Sequence, residues 1–175
     1  LRQIDDLFGG RIQTLASNAF NIAAATKDAD LLVGSVLIPG ALTPKLVTEA
    51  MVKTMKPGSA IVDVAIDQGG CIEPTAKHGA TYHDKPTFKY PVNGGEVVCY
   101  SVGNMPGAVA RTSTFTLTNA TMPYMVDLAN KGWKKACQDD KALARGINTY
   151  DGKVYFKGVS DALGYELHCT CDILK

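Results

Sequence analysis

The stretch "VDVAIDQGGC", residues 62–71, decides the fold. It runs inward on apolar, β-forming residues, is interrupted by Asp67, and turns away on Gly69-Gly70. A carboxylate at the last position of a buried strand costs desolvation free energy unless it is paired or faces a polar ligand. The spacing alone leaves two readings open. Asp67 is either a turn or helix-cap aspartate ahead of the glycines, or a site carboxylate that bonds a substrate group or assists proton transfer. The glycines are equally two-sided, serving a tight turn or a close backbone approach.

Outward from this stretch, "SAIVDVAI" (59–66) reads as an apolar strand, and "DLLVGSVLI" (30–38) as another that Pro39-Gly40 end. A third lies at "EVVCYSVG" (96–103), after a polar loop with a ribbon at "TFKYPV" (87–92). Between the first two, "TPKLVTEAMVKTM" (43–55) opens with Thr43 as cap and Pro44 at the first helical position. Upstream, "LRQIDDLF" (1–8) has helical spacing with Gly9-Gly10 as its stop, "RIQTLAS" (11–17) suits a short strand, and "NAFNIAAATKDA" (18–29) a helix capped by Ser17 or Asn18. Strands apolar on both faces and separated by helices predict a parallel sheet covered on both sides. The fold class is α/β: part of a doubly wound, Rossmann-like sheet. Ligands of such sheets lie beyond the carboxyl ends of the strands, which directs attention to the loops 35–40, 67–71 and 103–107.

After about residue 110 the character changes. "TSTFTLTNATMPYMVDLANKGWKKACQ" is long and helix-compatible, with an interruption expected at Pro123, and further helical pieces follow at "KALARGI" and "SDALG". No strand alternation of the earlier kind is expected there.

The bulk properties bound the rest. A chain of 175 residues is in the range of one domain, and 46% hydrophobic with 20% charged residues suits a soluble globular protein. A net charge of +1 argues against a nucleic-acid partner. No apolar run approaches the roughly 20 residues of a membrane span, and no secretory leader is visible. The five cysteines (Cys71, Cys99, Cys137, Cys169 and Cys171) suit reduced thiols in the cytoplasm. Starting at Leu1 inside a helix, the chain reads as a piece of something longer. His78, His83 and His168 form no metal-ligand spacing with the cysteines, and "HCTC" (168–171) lacks the further ligands zinc requires; no metal is expected. There is no Gly-x-Ser-x-Gly elbow. Gly-x-Gly-x-x-Gly is also missing, so a dinucleotide site would need its pyrophosphate loop upstream of Leu1.

Two stretches, "DLLVGSVLIPGALTPKLVTEAMVKTMKPGSAIVDVAIDQGGCIE" and "VGNMPGAVARTSTFTLTNATMPYMVDLANKGW", resemble the bacterial alanine dehydrogenases, which share a fold with the NAD-binding subunit of proton-translocating transhydrogenases. The resemblance runs from Leu1 to about Asp161, is loosest over 76–95, and leaves the last ten residues unmatched. It implies that residues 1–105 are the distal part of an NAD-binding domain. Residues 106–175 would be a helical segment that returns to the substrate domain. The implied reaction is the reversible oxidative deamination of L-alanine to pyruvate and ammonium with NAD, in a homo-hexamer. Residue by residue, Ser17 matches a position near the adenine end of the cofactor, and Val36, Leu37 and Leu46 match apolar contacts of the dinucleotide. Val64, Ala65, Ile66 and Asp67 match the segment beside the nicotinamide, with Asp67 as the catalytic aspartate. Val102, Gly103, Asn104 and Met105 match a loop at the nicotinamide ribose, Asn104 also meeting substrate. The resemblance puts the catalytic histidine and the lysine and arginine for the substrate carboxylate in the family's N-terminal half, so the 175 residues alone are expected to be inactive and to hold NAD weakly.

Two other readings are open. A transhydrogenase NAD-binding part would carry an amide-rich "QNGG"-like turn where this chain has "DQGGC". A non-catalytic assembly module would keep the fold and self-associate through its exposed sheet edge.

Overall fold

The computed structural model describes residues 1–36, 38 and 42–175. The chain divides into two compact units, one of Leu1–Leu37 and Thr43–Asn104, the other of Ile38–Leu42 and Met105–Lys175.

The first unit begins with α1 (Arg2–Phe8), which buries no residue and ends on Gly9 at φ 56. Helix α2 (Ala19–Asp28) follows, its first turn closed by the Asn18 side chain, which accepts from the Asn21 N–H at 2.8 Å. The strand expected at 11–17 is not there. An extended segment becomes a strand only when a neighbour supplies the other half of the ladder, and none among the described residues pairs with it. Strands β1 (Leu31–Gly34) and β2 (Ala60–Asp63) pair in parallel with Leu31 opposite Ala60 and Gly34 opposite Asp63. Between them lies α3 (Glu49–Val52), and after β2 comes α4 (Glu73–His78). The ribbon β3 (Thr87–Val92) and β4 (Gly95–Tyr100) forms an antiparallel hairpin, and β4 pairs in parallel with β2. The sheet order is β1-β2-β4-β3.

Thr43 does not start a helix. The helical turn begins at Glu49 with Thr48 as its cap. The Thr43 hydroxyl instead donates to the carbonyls of Gln68 and Gly70, at 3.2 and 2.8 Å. Tertiary acceptors outbid the local cap.

Alternate residues of the sheet have opposite fates. Ile61, Asp63, Val97 and Cys99 are sealed against Val52, Met55, Cys71 and Ile72. Leu31, Val33 and Val98, on the other face, are exposed. Within the described residues the sheet is therefore covered on one side, not both. Apolarity on both faces marks a strand's capacity to be covered without supplying the cover.

The second unit opens with a 3-10 turn at Met105–Val109 and continues as α5 (Ala110–Asp139). The expected interruption at Pro123 is absent; the helical path breaks at Gly132, where φ is 72 and ψ is 157. Glycine reaches that region without a Cβ clash. Then follow α6 (Lys141–Ala144), a two-stranded ribbon of β5 (Thr149–Tyr150) and β6 (Lys153–Val154) that the sequence did not suggest, and α7 (Lys157–Leu163). Among the described residues of this unit, Ala136, Cys137, Val154 and Ser160 are buried.

The cysteines depart from the expectation of five reduced thiols. Cys71, Cys99 and Cys137 are free and buried, while Cys169 and Cys171 form a disulfide across Cα atoms 5.2 Å apart, within ordinary bridging reach. Burial pushes the Cys71 and Cys99 thiols up to about 11, with the Asp63 carboxylate adding to the effect at Cys71. An acid whose folded pKa is raised stabilises the fold below its unfolded value and loses that contribution as pH climbs through the folded one. Stability should thus decline between about pH 9 and 11. At pH 8 iodoacetamide is expected to leave both thiols unmodified in the folded chain and to label them fully in denaturant, as mass spectrometry would show.

Candidate functional site

Three adjacent parallel strands, β1, β2 and β4, end at one edge of the sheet, at Gly34, Asp63 and Tyr100. The segments leaving that edge are 35–36, 64–72 and 101–104. The middle one carries the chemistry.

The strand that was expected to deliver Asp67 ends four residues earlier, at Asp63. The Val64 N–H still donates to the Gly34 carbonyl at 2.8 Å. The chain then closes into a 3-10 turn, Ile66–Gln68, with Asp67 exposed within it. Asp67 is therefore presented to solvent, not held at a strand terminus, and it bears no burial cost. Ala65 and Ile66 are buried and Val64 is exposed, so the turn is anchored from inside while an apolar and an acidic side chain face out.

Gly69 and Gly70 both have positive φ, 91 and 73. They let the Gly69 N–H reach the Ile66 carbonyl and the Gly70 N–H reach Ala65, at 3.0 and 2.9 Å. Space matters as well as torsion: a Cβ on Gly70 would lie 2.9 Å from Asp63 Oδ2. The glycine pair thus serves the turn and the close approach together.

Both edges of this loop are tied down. On the carbonyl side, Lys45 Nζ donates to Gly69 and Gly70 at 2.5 and 2.6 Å, and the Thr43 hydroxyl reaches Gln68 and Gly70. On the amide side stands Asp63, fully buried, which an apolar-strand reading of 59–66 does not single out. Its carboxylate accepts from the backbone N–H of Ala65 (3.2 Å), Cys71 (3.1 Å) and Ile72 (3.2 Å), and from the Thr75 hydroxyl (2.5 Å). The available signal was an acid inside an apolar run, a placement that burial tolerates only with donors around it.

The other expected site residues distribute as follows. Val36 is half-buried against the core, its backbone beside the Cys71 thiol. Leu46 is half-buried, and its N–H donates to the Cys71 carbonyl at 2.9 Å. These two and Val64, Ala65, Ile66 and Asp67 are brought to one locality around Cys71 and the 64–72 loop. Val102 is buried and bridges Thr81, while Gly103 and Asn104 follow it exposed from the neighbouring strand. Ser17 is exposed immediately before the α2 cap. Met105 falls in the second unit, and Leu37 lies outside the described residues. Among the described residues no three metal-ligating side chains gather, and no helix is long and apolar enough to cross a membrane.

An acid and exposed backbone beyond the carboxyl ends of parallel strands define an α/β domain whose ligand edge is the one open sheets of this class use. The profile of the family described as "Alanine dehydrogenase/PNT, C-terminal domain" matches residues 1–157, and the chain belongs to that family. It is 59% identical over 166 residues to an alanine dehydrogenase of Bacillus subtilis and 56% identical over 162 residues to one of Methanococcus maripaludis, matching 95% and 93% of this chain. A solved L-alanine dehydrogenase superposes with a TM-score of 0.76 at 45% identity, covering 93% of this chain and 43% of that one. The chain spans 42% of the length of either curated relative.

Proposed function

We infer that the chain works as the C-terminal portion of an NAD-dependent alanine dehydrogenase, a cytoplasmic oligomer that interconverts L-alanine with pyruvate and ammonium. Residues 1–105 serve as the distal part of the NAD-binding domain and 106–175 as the segment that returns to the substrate domain. The observation that carries this reading is Asp67, exposed on a doubly anchored turn beyond parallel strands in a chain 53–59% identical to alanine dehydrogenases.

The residues suit the cofactor. Val64 offers exposed apolar surface at the strand edge, next to a backbone whose amides are already engaged, as a flat ring beside it requires. Val36, Leu37 and Leu46 would serve as apolar contacts of the dinucleotide, Val64, Ala65 and Ile66 would lie beside the nicotinamide, Ser17 near the adenine end, and Val102, Gly103 and Asn104 at the nicotinamide ribose. Held there, NAD would supply the hydride acceptor for the alanine Cα. Asp67, as a carboxylate, steadies the substrate amine and orients the water that replaces it, holding charge where it develops. Asn104 can donate to and accept from the substrate. None of His78, His83 and His168 lies on the three edge segments, so proton transfer needs a base from outside these residues.

In the assembled enzyme that carries this chain, Asp67→Asn is expected to lower kcat for alanine oxidation by at least about a hundredfold, the ordinary scale of an acid–base group. The 175 residues alone should give no turnover. Undiminished NADH production by the Asp67→Asn enzyme would refute the assignment.

A further inference from the structure

Asp63 is more than a strand end. Its carboxylate is fully buried and collects five donors: the amides of Ala65, Cys71 and Ile72, the Thr75 hydroxyl and, at 3.6 Å, the Cys71 thiol. An ionised carboxyl offers about four lone-pair sites, so the acceptor capacity is filled. What matters is where the donors sit. Ala65 lies two residues before Asp67, while Cys71 and Ile72 lie four and five after it. One carboxylate therefore grips both ends of the loop whose turn presents Asp67. The carbonyls of the same loop are held by Thr43 and Lys45. Asp67 itself is exposed, so the location of its backbone is set by these anchors.

We propose that Asp63 is a positioning residue, its buried carboxylate holding the Ala65, Cys71 and Ile72 amides so that the loop presents Asp67 in one place. The inference rests on the functional reading of Asp67. Asp63→Asn preserves size but puts an amide donor where an oxygen accepted, so one backbone N–H loses its partner and the loop shifts. Misplacement of a reacting group by about an ångström costs on the order of a hundredfold in rate.

The test is a double-mutant cycle in the assembled enzyme, with kcat and KM measured for L-alanine and NAD. Asp63→Asn is expected to lower kcat by about thirtyfold while both KM values stay within about threefold. In an Asp67→Asn background the same change should lower kcat by less than about threefold, because there is no longer a carboxylate to misplace. Thr75→Val should lower kcat in the same non-additive way, and Thr75→Ser, which keeps the hydroxyl, should restore it. If Asp63→Asn does not yield folded enzyme, the Thr75→Val cycle decides alone. Equal losses in both backgrounds, or no loss, overturn the positioning role while leaving Asp67 intact. Full turnover by Asp67→Asn overturns the functional reading, and this inference with it.

Discussion

Gly34→Val is expected to destabilise the first unit by about 3 kcal/mol, the upper end of the usual range for overpacking a tight core. The residue ends β1, and its place in the strand would ordinarily welcome a β-branched side chain. The surroundings reverse that sign. A Cβ there would lie 2.5 Å from Cys71 Sγ and 3.0 Å from Ile72 Cδ1. Neither neighbour can give way freely: Ile72 is fully buried and Cys71 nearly so, and the amides of both are bonded to Asp63. Nor can β1 retreat, because Gly34 pairs with Asp63 and accepts from the Val64 N–H. Urea unfolding followed by circular dichroism would measure the loss. The cause is separable. Gly34→Ala should cost about 2 kcal/mol alone, and Cys71→Ala, which removes the crowding sulfur, should recover at least about 1 kcal/mol of it in the double variant. Additive losses would show that the crowding lies elsewhere.

Gly34 also shows where sequence reasoning runs out. The apolar runs at 30–38, 59–66 and 96–103 located β1, β2 and β4 because burial selects β-branched residues wherever a strand faces a core, and the cap candidates Ser17 and Asn18 located α2 because a cap bond is local, Asn18 being the one that makes it. Asp67 was visible as an acid before a glycine pair. Features set by distant partners were not visible. Thr43-Pro44 has the grammar of a helix start, yet the carbonyls that take the Thr43 hydroxyl lie 25 and 27 residues away. Asp63 hides inside an apolar run, and three of the residues that donate to it, Cys71, Ile72 and Thr75, 8 to 12 residues on, become neighbours only after the glycine turn has formed. Gly34 reads as a weak point in a strand until Cys71 is placed against it. The exposed face bearing Leu31, Val33 and Val98 could not be read at all, since apolarity is the same whether or not something covers it.

Gly70 joins fold and site, and its substitution should damage both. Gly70→Ala is expected to destabilise the first unit by about 3 kcal/mol, against about 1 kcal/mol for Gly58→Ala. The comparison is matched in torsion, φ being 73 at Gly70 and 83 at Gly58, so each alanine suffers similar backbone strain. They differ in space. A Cβ at Gly58 meets nothing within 4 Å, whereas at Gly70 it would lie 2.9 Å from Asp63 Oδ2 and 3.2 Å from both Ala76 Cβ and Ile66 Cδ1. The excess of about 2 kcal/mol is the cost of moving a buried carboxylate away from its donors, each orphaned amide being worth about 1–3 kcal/mol. Amide hydrogen exchange offers a local check. In Gly70→Ala the Cys71 and Ile72 N–H groups, bonded to Asp63 in the native chain, should lose protection, while the Val98 N–H, bonded to the Ser59 carbonyl, should keep it under conditions where the unit stays folded. Equal costs at the two glycines would mean that only torsion matters and that Asp63 tolerates displacement. The larger cost at Gly70, with exposure confined to the loop, would locate the strain in the contact between the turn and the carboxylate that holds it.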